Sequence, residues 1–312
     1  MKIVDAHIHL WNLDENYYPW LSDGDRPSVV SDFSSLRRNY LVTDFIKDRA
    51  GLDVVAAVHI QAEHDPRDHL RETRWLQGIA DNAIAQGIPQ AIVGNADLAA
   101  GDAEALLEAH CAFRNVRGIR QALHRRLDEV PPYDPLLDPA FRGKFHLLGK
   151  YGLSFDLQFF PQQGAEVEAL VRQHPAVQFI LTHAGMPLWR DAERLALWRR
   201  SMVRLAQYPN VATKISGFGM WDGAWSAKSI EPVVQLAIEN FSCARCMMAS
   251  NFPVEGIGKS YADVWRIYAE YFAAWSEAER QALFCDNALR YYRIEPDGPG
   301  TCAAIESGPS KE

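Results

Sequence analysis

The chain has 312 residues, of which 48% are hydrophobic and 23% charged. A chain of this length buries a large core without disulfide staples, and its ordinary composition excludes a disordered, collagen-like or disulfide-stapled protein. The net charge of −8 argues against recognition of nucleic-acid phosphates or of an anionic membrane surface. It leaves room for a small acidic substrate, because a local arginine can oppose the global sign.

The chain runs directly into an apolar strand and lacks the basic, apolar and small-residue regions of a signal peptide. No window approaches 18 consecutive apolar residues, so no membrane span is expected. The five cysteines are scattered, and Cys243-x-x-Cys246 has no second pair with which to build a structural zinc site. Reduced thiols and a cytoplasmic location are the expectation.

In chain order, β-branched or aromatic-rich runs of strand length fall at 2–8, 54–62, 89–96, 116–122, 154–160, 178–183, 211–216 and 246–250. Between them the 3.6-residue apolar period marks helices at 70–85, 103–113, 166–173, 195–208, 232–241 and 261–275. A weaker helical pattern at 136–151 contains Pro139 and Gly143. Segment 11–40 is rich in Asp, Asn, Ser, Gly and Pro and has no period. Strict strand–helix alternation over eight units predicts a parallel sheet covered by helices, closed as one (β/α)8 barrel over residues 1–294, with 295–312 as a loose tail. In such a barrel, 11–40 comes after strand one at the face where active sites form, and it is read as a functional loop. An open doubly wound sheet would want a glycine-rich turn after strand one; the chain has His-Ile-His-Leu-Trp there instead.

The strongest chemical signal is His7-x-His9 at the end of the first strand. Strand residues two apart share a face, so the two imidazoles can converge on one ion or one substrate atom. By the same alternation Asp5 is expected on that face, one step deeper. His183, at the end of the sixth strand, is placed to complete a site across the barrel mouth.

At this point the residues resemble a known family. Val4-Asp5-Ala6-His7-Ile8-His9-Leu10, Tyr18-Pro19-Trp20-Leu21, Gly118-Ile119-Arg120-Gln121, Leu181-Thr182-His183-Ala184-Gly185, Ser250-Asn251-Phe252-Pro253-Val254 and Asp286-Asn287-Ala288 resemble successive blocks of the amidohydrolase-2 group of the amidohydrolase superfamily. The resemblance implies a distorted TIM barrel. It also implies a site built from His7, His9 and His183, with or without a divalent metal, and a reaction class that includes sugar-acid, muconate and pyrone-type lactonases and, more distantly, metal-dependent decarboxylases. One departure matters. Many members carry Asp where this chain has Asn251, and an amide cannot take a proton near neutral pH. Asn251 is kept as a catalytic candidate, but not as the base.

A replacement carboxylate is sought on strand two. Alternation through His59-Ile60-Gln61-Ala62-Glu63 puts His59, Gln61 and Glu63 on one face, taken as the barrel axis, where Glu63 could accept a proton from water. Glu255, four residues past Asn251, is a weaker candidate. Arg120, ending strand four, can hold a carboxylate. Gln158 in strand five and Lys214 in strand seven are further substrate-binding candidates, and a lysine in so apolar a strand needs a partner. Trp11, Trp20, Trp221 and Trp225 fall in mouth loops and could wall an apolar pocket. Gly258-Lys259-Ser260 lacks the upstream glycine of a phosphate loop, and Ser216 is not in a G-x-S-x-G elbow.

The sequence is therefore read as a lactone-opening hydrolase acting on an acidic small molecule. His7, His9 and His183 are its metal-ligand candidates, zinc or a metal-independent site both staying open, and Glu63, His183 and Asn251 are its catalytic candidates. A decarboxylase and a catalytically inactive ligand-binding barrel are the alternatives, and a homo-oligomer is compatible with all of them.

Overall fold

The structure is a computed structural model that describes residues 1–23, 32–123, 133–187 and 191–295. The predicted tail after 295 and part of segment 11–40 lie outside the described residues. Among the described residues, eight strands form one sheet in sequence order: β1 (Ile3–Ile8), β2 (Val54–Ile60), β3 (Ala91–Gly94), β4 (Val116–Ile119), β5 (Ser154–Leu157), β6 (Phe179–Leu181), β7 (Val211–Ile215) and β8 (Cys246–Met248). Neighbours from β1 to β8 all pair in parallel. The edges meet through an Ile8–Phe252 bridge, so the sheet is a nearly closed (β/α)8 barrel.

From β2 onward each strand stops short of the apolar run that announces it, because the last residues of each run bend into the mouth. The covering helices are α1 (Pro19–Ser22), α2 (Val42–Asp48), α3 (His69–Ala80), α4 (Ala103–Cys111), α5 (Pro139–Lys144), α6 (His146–Lys150), α7 (Gly164–Gln173), α8 (Ala192–Leu205), α9 (Ala227–Phe241), α10 (Tyr261–Tyr271), α11 (Glu277–Gln281) and α12 (Asn287–Tyr291). The weak pattern at 136–151 resolves into two short helices. Pro139 opens the first of them, and the Asp138 carboxylate caps it by accepting Ala140 N–H at 2.7 Å. Pro232 does not begin its helix. Ser226 caps α9 at Ala227 and Pro232 sits inside it, so cap chemistry outweighs the proline cue.

The barrel interior is a small-residue and aliphatic cluster containing Val4, Val58, Ile60, Val93, Ile180 and Met247, floored by Cys285, Ala288 and Tyr292 from the end of the chain. The alternate residues of the same strands pack outward on the helices. This phase corrects the expectation for strand two. Val58 and Ile60 point to the axis, and His59 points away, its Nε2 3.1 Å from the Leu10 carbonyl oxygen.

Strand β1 carries a register shift between Asp5 and Ile8. Such a bulge inserts one residue and re-aims the side chains beyond it. Val4 and Ala6 lie in the interior cluster and Ile8 in the outer one, yet His7 and His9 reach the mouth. Asp5, expected on the histidine face, instead turns outward. Its Oδ1 accepts the amide N–H of Ser250 at 2.9 Å and of His7 at 3.2 Å, and its Oδ2 accepts the Tyr261 hydroxyl at 2.9 Å. It is a clamp across the β1–β8 seam. No helix among the described residues is long and apolar enough to cross a membrane.

Candidate active site

The C-terminal ends of the strands gather the histidines. His7 Nε2 and His9 Nε2 face each other at 3.1 Å. The His7 and His183 rings lie 4.7 Å apart between centroids, tilted by 35°. Each ring is held from behind. His9 Nδ1 is 2.7 Å from the Ile60 carbonyl oxygen, so it carries the proton and leaves Nε2 as the lone-pair nitrogen. His183 Nδ1 is 2.9 Å from Ser216 Oγ. Gly217, at φ +76°, closes on the His183 ring so tightly that a Cβ there would lie 2.6 Å from Nδ1. Burial, reinforced by nearby cations, holds all three imidazoles well below the ordinary histidine pKa. They are neutral, and neutral imidazole is the form that binds metal or orients water.

Two cations stand beside them. Lys214 Nζ is 3.3 Å from His7 Nδ1 and is ion-paired with Asp156, both side chains fully buried. Burial pushes the ammonium down to about 8 even though Asp156 opposes the shift. The partner that a lysine in an apolar strand requires is therefore Asp156, which the Tyr292 hydroxyl also holds at 2.8 Å. Neither Asp156 nor Tyr292 stands out in the sequence, since each sits in an otherwise apolar or polar-mixed segment far from the other. The second cation, Arg120, is buried; it donates to the Gln61 carbonyl oxygen and, at 3.1 Å, to Gln158 Oε1. Its Nε has no hydrogen-bond partner among the described residues.

Glu63 lies past the end of β2, on the rim. Its side chain is 51% exposed, its Oε1 accepts Gln61 Nε2 at 2.8 Å, and the same oxygen is 3.9 Å from Arg120 Nη2. Strand alternation does not bring it there. A left-handed backbone, φ +55°, does. His183 (φ +50°) and Asn251 (φ +58°) are left-handed too, and Ala184, Gly185 and Met186 continue the turn that His183 begins. Such conformations cost non-glycine residues roughly 1–3 kcal/mol each and persist where the surroundings enforce them. Asn251 is buried at the end of β8, with its backbone N–H donated to the His7 carbonyl oxygen at 2.9 Å.

Of the loop tryptophans, Trp20 and Trp221 are partly exposed, whereas Trp11 and Trp225 are buried core residues. Trp20 Nε1 donates to the Ala62 carbonyl oxygen at 2.8 Å and so pins the β2 loop from the β1 loop. A buried acid missed in the sequence, Glu72 on α3, takes the Ala62 N–H at 3.0 Å from the other side. Cys243 and Cys246 are free thiols, the latter in the core of β8.

As a donor set for a divalent ion, the neutral imidazoles fit by chemistry: His9 Nε2 presents its lone pair to His7 Nε2 at 3.1 Å, and His7 would present its own once an ion displaced the proton held there. Among the described residues no trio of His, Cys, Asp or Glu side chains is drawn into a closed cage, so that pair is the core of any such site.

A family model described as Amidohydrolase matches residues 4–294. The chain belongs to the amidohydrolase family. The uncharacterized protein y4mH of Sinorhizobium fredii is 43% identical over 298 residues, covering 94% of this chain and 99% of that protein. An L-fucono-1,5-lactonase of Burkholderia ambifaria is 27% identical over 308 residues, covering 95% and 97%. A crystal structure of a Burkholderia multivorans amidohydrolase with bound zinc is 28% identical, has a TM-score of 0.77, and covers 95% of this chain and all of that one. As an amidohydrolase of this shape the protein is read as a hydrolase acting on a small molecule.

Proposed function

We propose that this amidohydrolase opens an acidic lactone by attack of water on the ester carbonyl. The observation that carries the reading is the gathering of three buried, neutral imidazoles within electrostatic reach of the buried guanidinium of Arg120 at the barrel mouth. The arginine, always charged and with Nε unpartnered, holds the substrate's carboxylate. Gln158, hydrogen-bonded to Arg120 at 3.1 Å, contacts the same carboxylate. Lys214 beside His7 favours negative charge developing on the carbonyl oxygen. His183 orients the water, and Glu63 on the rim takes its proton. The Asn251 amide contributes hydrogen bonding, not proton transfer. The carbonyl–oxygen bond of the ring breaks, the ring oxygen takes the proton from Glu63 and leaves as a hydroxyl, and the product is the open hydroxy acid.

His7, His9 and His183 are the residues that would hold a divalent ion, zinc in the first instance. When bound, such an ion polarises a carbonyl and acidifies water. Whole-length similarity to a lactonase supports the lactone class, and a similar structure with zinc supports the ion.

The test is a pH-indicator screen of sugar-acid, muconate-type and pyrone-type lactones, run beside a carbon dioxide release assay on aromatic acids. Acid production from a carboxylated lactone is expected. Carbon dioxide without lactone opening would move the protein to the decarboxylases, and silence in both assays would make it a binding barrel.

A further inference from the structure

Glu255 has no part in the chemistry above, yet it is one of the most enclosed carboxyl groups in the chain, at 1% exposure. It sits in the turn Val254–Ile257, one turn past Asn251, and its backbone N–H donates to the Asn251 carbonyl oxygen at 3.1 Å. Its Oε1 accepts the Gly219 N–H at 2.5 Å. That contact requires glycine, since a Cβ at 219 would stand 2.7 Å from the same oxygen. The other oxygen, Oε2, is buried together with Asn251 Nδ2 and Trp225 Nε1, and none of the three closes a hydrogen bond of good geometry. Both donors nonetheless act on the carboxyl and favour its anion.

These contacts join two loops. Gly219 comes just after Ser216 and Gly217, the residues that hold the His183 ring by its Nδ1 and its face. Asn251 lies just beyond β8 and is bonded to the His7 carbonyl oxygen. The Glu255 carboxyl therefore holds the β7 loop that positions His183, while the Glu255 backbone N–H binds the Asn251 carbonyl oxygen and Oε2 is buried with the Asn251 amide. A leucine or methionine would fill the same space at no cost in desolvation, so packing alone does not account for a glutamate here.

We infer that Glu255 is a positioning residue: its carboxyl fixes the side-chain amide of Asn251 and, through Gly219, the turn behind His183. The inference rests on the hydrolytic reading of the site. A carboxylate thus stands one turn past Asn251, where it acts through the amide and not on the substrate. Burial, as the largest influence, raises its pKa to about 7, against the Gly219 amide, Trp225, Lys259 and Asn251, which lower it. The remaining titratable group facing it is Tyr268 on α10, whose own hydroxyl the carboxyl pushes up. Lys259 is turned over the Trp225 ring, 5.4 Å from its centroid, and makes no ion pair with the carboxyl among the described contacts.

The experiment compares wild type, Glu255→Gln and, as a surface control, Glu270→Gln. Glutamine keeps the size and the bond from Gly219 but removes the charge. On the lactone that wild type turns over best, kcat is expected to fall on the order of 10- to 100-fold in Glu255→Gln with KM changed less than about threefold, as for an interaction used mainly in the transition state. The limb of the pH profile near 7 should disappear. The control should match wild type. Should Glu255→Gln fail to fold, Gly219→Ala pushes the carboxyl aside while keeping its charge, and the same kcat loss is expected.

A second readout needs no turnover. In wild type the side-chain amide resonances of Asn251 and the indole N–H of Trp225 should move together with pH around 7, and both should be static in Glu255→Gln. If wild type opens no lactone, the hydrolytic reading fails, and these resonances still decide the coupling. Unaltered kcat, KM and pH profile in Glu255→Gln, or an Asn251 amide indifferent to pH, would overturn the inference.

Discussion

The Asp5 carboxylate accepts the backbone N–H of Ser250 at 2.9 Å across the one seam of the barrel that lacks a full strand ladder. A side chain there adds to the two backbone bonds of the seam, from His9 N–H to the Phe252 carbonyl oxygen at 2.8 Å and from Asn251 N–H to the His7 carbonyl oxygen at 2.9 Å. The same carboxylate takes the His7 amide and the Tyr261 hydroxyl, so Asp5→Ala strands three buried donors. At about 1–3 kcal/mol per unsatisfied group, a loss of roughly 3–9 kcal/mol in unfolding free energy is expected, measurable by urea denaturation. A variant within about 1 kcal/mol of wild type would show that the backbone bonds of the seam hold it without Asp5.

Lys214 and Asp156 are an ion pair with no solvent contact. Removing one partner of such a pair typically costs about 3–5 kcal/mol, while replacing both with apolar groups is near neutral. Lys214→Met should therefore be much less stable than the double variant Lys214→Met/Asp156→Leu. Denaturation of the two singles and the double gives the coupling directly, and additive single effects would dissolve the pair.

Glu63 is half exposed, and glutamine in its place keeps an oxygen to accept the Gln61 amide and gives up only the 3.9 Å approach to Arg120. Glu63→Gln should leave the denaturation midpoint where it is, since surface changes usually stay within about 0.5 kcal/mol. Lactone hydrolysis should fall on the order of 10²–10⁴-fold, the worth of general acid–base catalysis. Full activity would assign the base elsewhere.

Glu72 is a stability switch. Burial raises its pKa to about 8 from an ordinary 4.5, against the Ala62 amide and the charge of Arg120, which favour the anion. The folded protein therefore holds a proton that the unfolded chain releases. Its contribution is fully present below pH 4.5 and is lost as pH rises through about 8. Across that window stability should decline by about 1.4 kcal/mol per pH unit from this group. Glu72→Gln should flatten the decline between about pH 5 and 8, and an unchanged slope would assign it to other groups.

The barrel was legible in the sequence because alternation of strand and helix survives every local irregularity, and the histidines were legible because they end apolar runs. What alternation could not supply was phase. Reading Asp5 and His7 on one face fails at the β1 bulge, and reading Glu63 toward the axis through His59 fails because β2 has the opposite phase and its loop turns left-handed. Backbone of that kind arises from tertiary contacts, Trp20 and Glu72 on the Ala62 peptide for instance, and leaves no periodic trace. Lys214 announced its need for a partner; which carboxylate answered depended on β5 and β7 both facing inward across the barrel.

Tyr292 lies in the floor of the barrel, and its hydroxyl bonds the Asp156 carboxylate that carries Lys214. Through those three side chains the last helix of the fold is connected to His7, near the first residues of the chain. Residues from the first strand and from the last described helix thus meet around one buried ion pair, His7 from the mouth and Tyr292 from the floor. A chain cut short before Tyr292 would possess every described mouth residue and still lack the support on which the Lys214 ammonium stands.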